Sequence, residues 1–299
     1  MKSLEFEEVI FNYRRIQVCS YDAGGGNVLA HLIHGLGLKP TFIIDGPSLG
    51  VYTGLFPDLL SLNSKTLKSE TDLLISSTGW QSVHEFKIMK TALLSGIPVI
   101  AVLDHWVNYV ERFERFGETI MPTYFLAFDD ASEDKIVNEF QDANVLRAQN
   151  VYLARILQEI KNLERLNTSN FYDFVFIGEP LLQVNKSQSW TEFDAIQLFF
   201  ETLRFLGLSN SRIAIKPHPS ENSLKYSQCI PDDFNNVSLE SNTELAGLLA
   251  KSRTVVGCHS MALYIGELSG KKVYTALPDG VLPRVPLKRA QPIIDLAHM

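Results

Sequence analysis

Short apolar runs alternate along this chain with stretches in which apolar residues return at helical spacing. The first run, Arg15-Ile-Gln-Val-Cys-Ser-Tyr, predicts a strand. Asp22-Ala-Gly-Gly-Gly follows it, and Val28, Leu29, Leu32, Ile33 and Leu36 then mark a helix that Gly35 and Gly37 end. Pro40-Thr-Phe-Ile-Ile reads as a buried strand closed by Asp45-Gly46-Pro47. The alternation continues through Leu73-Leu-Ile-Ser-Ser, a helix over 82–94, Pro98-Val-Ile-Ala-Val-Leu and Tyr124-Phe-Leu-Ala-Phe. A long helix is expected over 143–166, followed by the turn Asn167-Thr-Ser-Asn. A second series follows: Asp173-Phe-Val-Phe-Ile-Gly, a helix over 190–206, Arg212-Ile-Ala-Ile and a helix over 243–251. Thr254-Val-Val-Gly, a helix over 260–268 and Lys272-Val-Tyr-Thr-Ala complete it.

Strands that are apolar on both faces and separated by helices build parallel sheets covered on both sides. The expected class is α/β, with two Rossmann-like lobes facing a cleft and a boundary at the 167–170 turn: residues 1–167, then 168–299. The 299 residues, 45% of them hydrophobic, suffice for two cores.

The net charge of -7 speaks against a nucleic-acid binder, because phosphate backbones select Lys/Arg-rich faces. Cys19, Cys229 and Cys258 are far apart and show no C-x-x-C spacing, which suits a reducing cytoplasm. Glu5, Glu7 and Glu8 interrupt the start of the chain, so neither a signal peptide nor a membrane span is expected there. A soluble cytoplasmic protein is expected, with peripheral association to a membrane-bound pathway left open.

Candidate chemistry gathers at strand ends. Asp22-Ala-Gly24-Gly25-Gly26-Asn27 joins a strand to a helix, where glycines let backbone approach a ligand and free N–H groups meet an anion or a hydroxyl. In G-x-G-x-x-G/A register Gly24 and Gly26 fit but the sixth position is Leu29, so a nicotinamide site using Asp45 is a weaker alternative. Asp22 as a plain helix cap is another. Asp104-His105-Trp106-Val-Asn108 closes the 98–103 strand with acid, imidazole, indole and amide, a set that suits a sugar; His105 or Asp104 could act as a general base. The alternative there is a core Trp106 and a capping Asp104. Thr78-Gly79-Trp80-Gln81 is a similar loop with less content.

Lys216-Pro-His218-Pro219 follows the 212–215 strand, and its prolines stiffen the loop that carries Lys216 and His218, which suits a phosphate. Gly257-Cys-His259-Ser260 opens a helix at the same expected sheet edge, with Ser260 placed to cap it. There is no P-loop, no G-x-S-x-G elbow and no metal-binding His/Cys spacing; His31 and His34 share a helical face without such partners. Asp129-Asp130 and Glu133-Asp134 read as an acidic, solvated helix start.

The order of the Asp-Ala-Gly-Gly loop, Lys-Pro-His-Pro and Gly-Cys-His-Ser-Met-Ala-Leu resembles the GT-B glycosyltransferase superfamily, and within it bacterial sialyltransferases and polysialyltransferases of surface-polysaccharide pathways. The resemblance implies a metal-independent transferase with no cofactor, taking a nucleotide-sugar donor (CMP-sialic-acid-like donors included) and a glycan or sugar acceptor. It implies Asp22 as the catalytic base, His218 on the donor phosphate and Ser260 in support. His105 is the second candidate base. Asp22 stands alone where the family pairs two acids, and His259-Ser260 stands where two hydroxyl residues are common. Two alternatives remain open: a sugar-nucleotide hydrolase or epimerase, and a non-catalytic nucleotide-sugar-binding protein.

Overall fold

The computed structural model describes residues 4–79, 82–166, 171–184, 190–218, 221–222 and 224–298. The chain divides into two compact units, Met1–Ala154 and Arg155–Met299, at a point inside the helix Val151–Leu166. The boundary turn expected at 167–170 lies outside the described residues.

The first unit contains strands β1 (Leu4–Glu5), β2 (Ile16–Ser20), β3 (Thr41–Ile44), β4 (Leu73–Ser77) and β5 (Val99–Val102). A small antiparallel hairpin, β6 (Glu114–Arg115) and β7 (Glu118–Thr119), precedes β8 (Tyr124–Ala127) and β9 (Val145–Arg147). Seven of these form a parallel sheet in the order β1-β9-β8-β5-β4-β2-β3. Every residue of β2, β4 and β5 is buried, as strands covered on both faces require. Alternate side chains enter two separate cores: Val18, Ile75, Ile100 and Val102 pack with helix Ala23–Gly35, whereas Cys19, Leu74, Val99 and Ala101 pack with Phe86 and Met89 of helix His84–Leu94.

The second unit contains β10 (Tyr172–Ile177), β11 (Ile213–Lys216), β12 (Val237–Leu239), β13 (Ser252–Gly257), β14 (Lys272–Thr275) and β15 (Gln291–Pro292). They form a parallel sheet in the order β12-β11-β10-β13-β14-β15. Helix Glu192–Phe205 begins with a Thr191–Asp194 capping box and lays Ile196, Phe199, Phe200 and Leu203 against Phe174, Phe176, Ile213 and Ile215.

The strand and helix alternation follows the sequence pattern, to which the structure adds the short strands β1, β9, β12 and β15 and the β6–β7 hairpin. The helix expected over 143–166 begins at Val151, because Val145–Arg147 pairs with β8 on one side and β1 on the other. Asn150 ends the connection by accepting a hydrogen bond from Leu153 N through its side chain.

In each sheet the strand order reverses once, between β2 and β4 in the first unit and between β10 and β13 in the second. The loops leaving the carboxyl ends of the strands beside a reversal diverge, and ligands of open α/β sheets bind in the crevice they leave. Among the described residues no helix is long and apolar enough to cross a membrane.

Candidate functional site

In the first unit the reversal point is bordered by Asp22 after β2, Thr78-Gly79 after β4 and, one strand further, Asp104 after β5. Asp22 is exposed and caps helix Ala23–Gly35, its Oδ2 accepting from Gly24 N at 3.0 Å. A Cβ on Gly24 would lie 3.1 Å from both Asp22 Oδ2 and Asp104 Oδ2, so the two carboxylates converge on one point at the head of this helix. They differ in their partners. Asp104 is tied at 2.7 Å to the guanidinium of Arg112, which is itself buried and also donates to Thr78 O and Thr78 Oγ1. Among the described residues the Asp22 carboxylate has only its capping amide as a hydrogen-bond partner.

Gly25 and Gly26 are packed closely against serine side chains. A Cβ on Gly25 would meet Ser77 Cβ at 3.0 Å, and one on Gly26 would collide with Ser48 Oγ. Asn27 lies in the helix and donates to Ala23 O, while His31, one turn on, shares Asn27 O and is largely buried. Asp45 accepts from the Gly46 amide in its own turn.

His105, Trp106 and Asn108 follow Asp104 and are half-buried. His105 Nδ1 accepts from Trp106 N, and the indole N–H of Trp106 is held by both carboxylate oxygens of Asp129 at 3.0 and 3.1 Å. Asp129 also caps helix Asp130–Glu139, whose acidic start is paired through Asp130 and Glu133 with Arg147. Asn108 takes the left-handed conformation at φ 57° and starts the short helix that carries Arg112. Trp80 and Gln81 lie outside the described residues.

Sequence patterns gave no indication of Glu85, on helix His84–Leu94. It is fully buried beneath Asp22, where its Oε1 accepts from Tyr21 N at 3.1 Å and Asp22 N at 3.4 Å. Burial raises its carboxyl above the usual value, against the downward pull of those amides.

In the second unit three neighbouring strands end together. Glu179 follows β10, Pro217-His218 follows β11, and Cys258-His259-Ser260 follows β13. Ser260 caps helix Met261–Leu268 by accepting from Ala262 N at 3.1 Å. The amides of Cys258, His259 and Ser260 all donate to one atom, Glu179 Oε1, at 3.1, 2.7 and 2.9 Å. Burial pushes the Glu179 carboxyl up to about 7, and the three amides and Arg284 pull the other way. His259 Nδ1 accepts from Arg284 N. The turn opens at Gly257, where a Cβ would press on Ile177 O at 3.1 Å.

His218 is exposed, and its amide donates to Glu221 Oε2. Glu221 in turn is ion-paired with Lys225, which also binds the buried Glu192. Lys216 turns its ammonium to the carbonyls of Glu240, Ser241 and Thr243, the last at 2.8 Å, and burial lowers its pKa. Pro219 lies outside the described residues. The loops of 216–218 and 258–260 are therefore brought to one sheet edge with Glu179 between them. No cluster of metal-ligating side chains occurs among the described residues.

No protein-family model matches the chain, and no curated protein matches its sequence. Solved structures do match. The UDP-GlcNAc 2-epimerase of Methanocaldococcus jannaschii superposes with a TM-score of 0.56 at 12% identity, over 88% of this chain and 83% of that one. A second UDP-N-acetylglucosamine 2-epimerase structure gives 0.58 at 12% identity, over 100% of this chain and 87% of its own. The chain has a GT-B-like fold. An α/β-galactoside α-2,3-sialyltransferase from Photobacterium phosphoreum matches with a TM-score of 0.49 at 14% identity, over 94% and 98% of the two chains.

Proposed function

We propose that the chain is an enzyme acting on a nucleotide-activated sugar and that it transfers the sugar to an acceptor hydroxyl. The observation that carries this reading is the convergence of Asp22 and Asp104 on Gly24 at the strand-order reversal of the first sheet. Asp104 is ion-paired with Arg112, whereas the Asp22 carboxylate is exposed and holds a capping amide, so Asp22 is assigned as the base. In the step proposed, Asp22 takes the proton of the acceptor hydroxyl as its oxygen bonds to the anomeric carbon. The bond from that carbon to the phosphate oxygen breaks, and its electron pair leaves with the nucleotide.

In the second unit, His218 and the 258–260 turn, whose amides are held by Glu179 until an anion replaces it, are the groups assigned to a phosphate. Lys216 contributes by ordering the loop, since its ammonium is engaged by three carbonyls. Trp106, whose indole N–H is held by Asp129, is the aromatic residue assigned to the sugar, and His105 is the alternative base. On this reading the reaction needs no metal, and CMP-linked acidic sugars are among its donors.

A second reading, a sugar-nucleotide 2-epimerase or hydrolase, is favoured by the fold shared with the UDP-GlcNAc 2-epimerases. One experiment separates the two. CMP-, UDP-, GDP- and ADP-sugars are incubated with and without a glycan acceptor, in the presence of a chelator. Transfer gives acceptor-dependent nucleotide release that D22N abolishes. Acceptor-independent release or donor isomerisation establishes the second reading, and binding without turnover by the wild type overturns both.

A further inference from the structure

Hydroxyl hydrogens can be counted through the buried network under Asp22. Ser48 Oγ lies 2.6 Å from Asp22 O, and a carbonyl can only accept, so the Ser48 hydrogen is spent there. Ser20 Oγ and Ser48 Oγ are 2.7 Å apart, and the hydrogen between them must then come from Ser20. Ser77 Oγ is 2.7 Å from Ser20 Oγ, so Ser77 supplies the next one. Ser77 Oγ also approaches Glu85 Oε1 at 3.3 Å and has no hydrogen left to give. At 3.3 Å the contact is long for an O–H···O bond, and a hydrogen placed in it has to come from Glu85.

The other carboxyl oxygen agrees. Glu85 Oε2 is buried and has no hydrogen-bond partner among the described residues. An ionised carboxylate with a bare, desolvated oxygen is far more costly than a neutral carboxyl whose carbonyl oxygen is bare.

We propose that Glu85 is a positioning residue that carries a proton on Oε1, heads a one-way chain through Ser77, Ser20 and Ser48 to Asp22 O, and clamps the Asp22 backbone at both its N–H and its C=O. The functional consequence rests on the reading of Asp22 as the base. A carboxylic hydroxyl is the group that can accept from the Tyr21 and Asp22 amides and donate to Ser77 through one atom. A neutral Glu85 also places no third negative charge beside Asp22 and Asp104. The titratable groups facing it are His84 on its own helix, Cys19 on β2, Tyr52, Arg115 and Asp22. Burial raises its carboxyl, in keeping with the proton count.

The test compares wild type with E85Q and S77A. The infrared difference spectrum of wild type minus E85Q at neutral pH is expected to show the carbonyl stretch of a protonated carboxyl. A carboxylate band in its place overturns the proposal. Denaturant unfolding adds a second measure. Burial raises the folded value above the usual 4.5, so wild type should lose stability relative to E85Q as pH rises from 4.5 through that value. A difference between the two that is independent of pH also overturns it. S77A, which breaks the chain and keeps the carboxyl, should lower kcat about tenfold and leave the donor KM unchanged. If no turnover is found for any variant, the function proposed for Asp22 fails, while the infrared and unfolding results still decide the state of Glu85.

Discussion

Glu179 Oε1 lies 2.7 Å from the amide nitrogen of His259, and the amides on either side of His259 point at the same atom. Three consecutive N–H groups at a helix start are the usual seat of an anion, and here the protein supplies the anion itself. A phosphate entering this turn has to displace Glu179. E179A should therefore bind inorganic sulfate about tenfold tighter than wild type, a gain of about 1.4 kcal/mol measurable by calorimetry. Equal or weaker binding by E179A would show that the amides are not the anion site.

The same residue sets a pH dependence. Its folded value of about 7 exceeds the usual 4.5, so the folded state holds the proton more tightly than the unfolded chain. On this account stability is greatest below pH 4.5 and declines as pH rises through 7. E179Q, which cannot ionise, should gain on wild type over that interval by about 1–3 kcal/mol, seen in denaturant midpoints at matched pH. Sulfate affinity of the wild type should fall over the same interval, because the ionised carboxylate competes more strongly for the amides. In E179A that slope should vanish.

Asp22 combines a cap with the proposed base, and Asn separates the two roles. Asn caps helices about as well as Asp, so D22N should unfold within about 0.5 kcal/mol of wild type. Turnover should fall by about 10²–10⁴, the range for removing a general base. A D22N protein with full activity would move the base to another residue, His105 first.

Removing Arg112 should be far more costly than removing a surface arginine. Only 3% of it is exposed, and it satisfies Asp104 and both oxygens of Thr78. R112A leaves Asp104 without its counter-ion and should cost about 3–5 kcal/mol in denaturant unfolding.

A methyl group on Gly26 collides with Ser48 Oγ and approaches Ser20 Oγ to 3.2 Å. G26A should cost about 1–3 kcal/mol through overpacking. In the G26A/S48A double mutant part of that cost should return, and a coupling of about 0.5 kcal/mol or more in the double-mutant cycle would confirm that the two side chains share one space.

Much of the fold was legible because buried parallel strands such as Leu73–Ser77 appear as unbroken apolar runs. Strand Val145–Arg147 was not, since Leu146 is its one buried residue and the polar neighbours blend into the helix that follows. The strand-end loops were legible too: Asp22, Asp104, His218 and Ser260 stand where β/α punctuation places them. Glu85, Arg112 and Glu179 were hidden for a common reason. Each makes its decisive contacts with a loop far away in sequence, Glu85 with 21–22, Arg112 with Thr78 and Glu179 with 258–260, and a lone charged residue reads as solvated. The glycines of 24–26 were legible as a tight approach, but the approaching atoms are serine and aspartate side chains of the same unit.

The pairing of Leu4–Glu5 with Leu146–Arg147 has a consequence for how the chain is made. During vectorial synthesis the earliest strand leaves the ribosome with no place in the sheet, because its neighbour is the unit's last strand. Until β9 emerges, β8 is an unpaired edge and β1 has no strand to pair with. The first unit can therefore close only after nearly all of it has been translated. A nascent chain arrested shortly before residue 145 should be open to proteases and chaperones, and one arrested well past Arg147 should be closed to both.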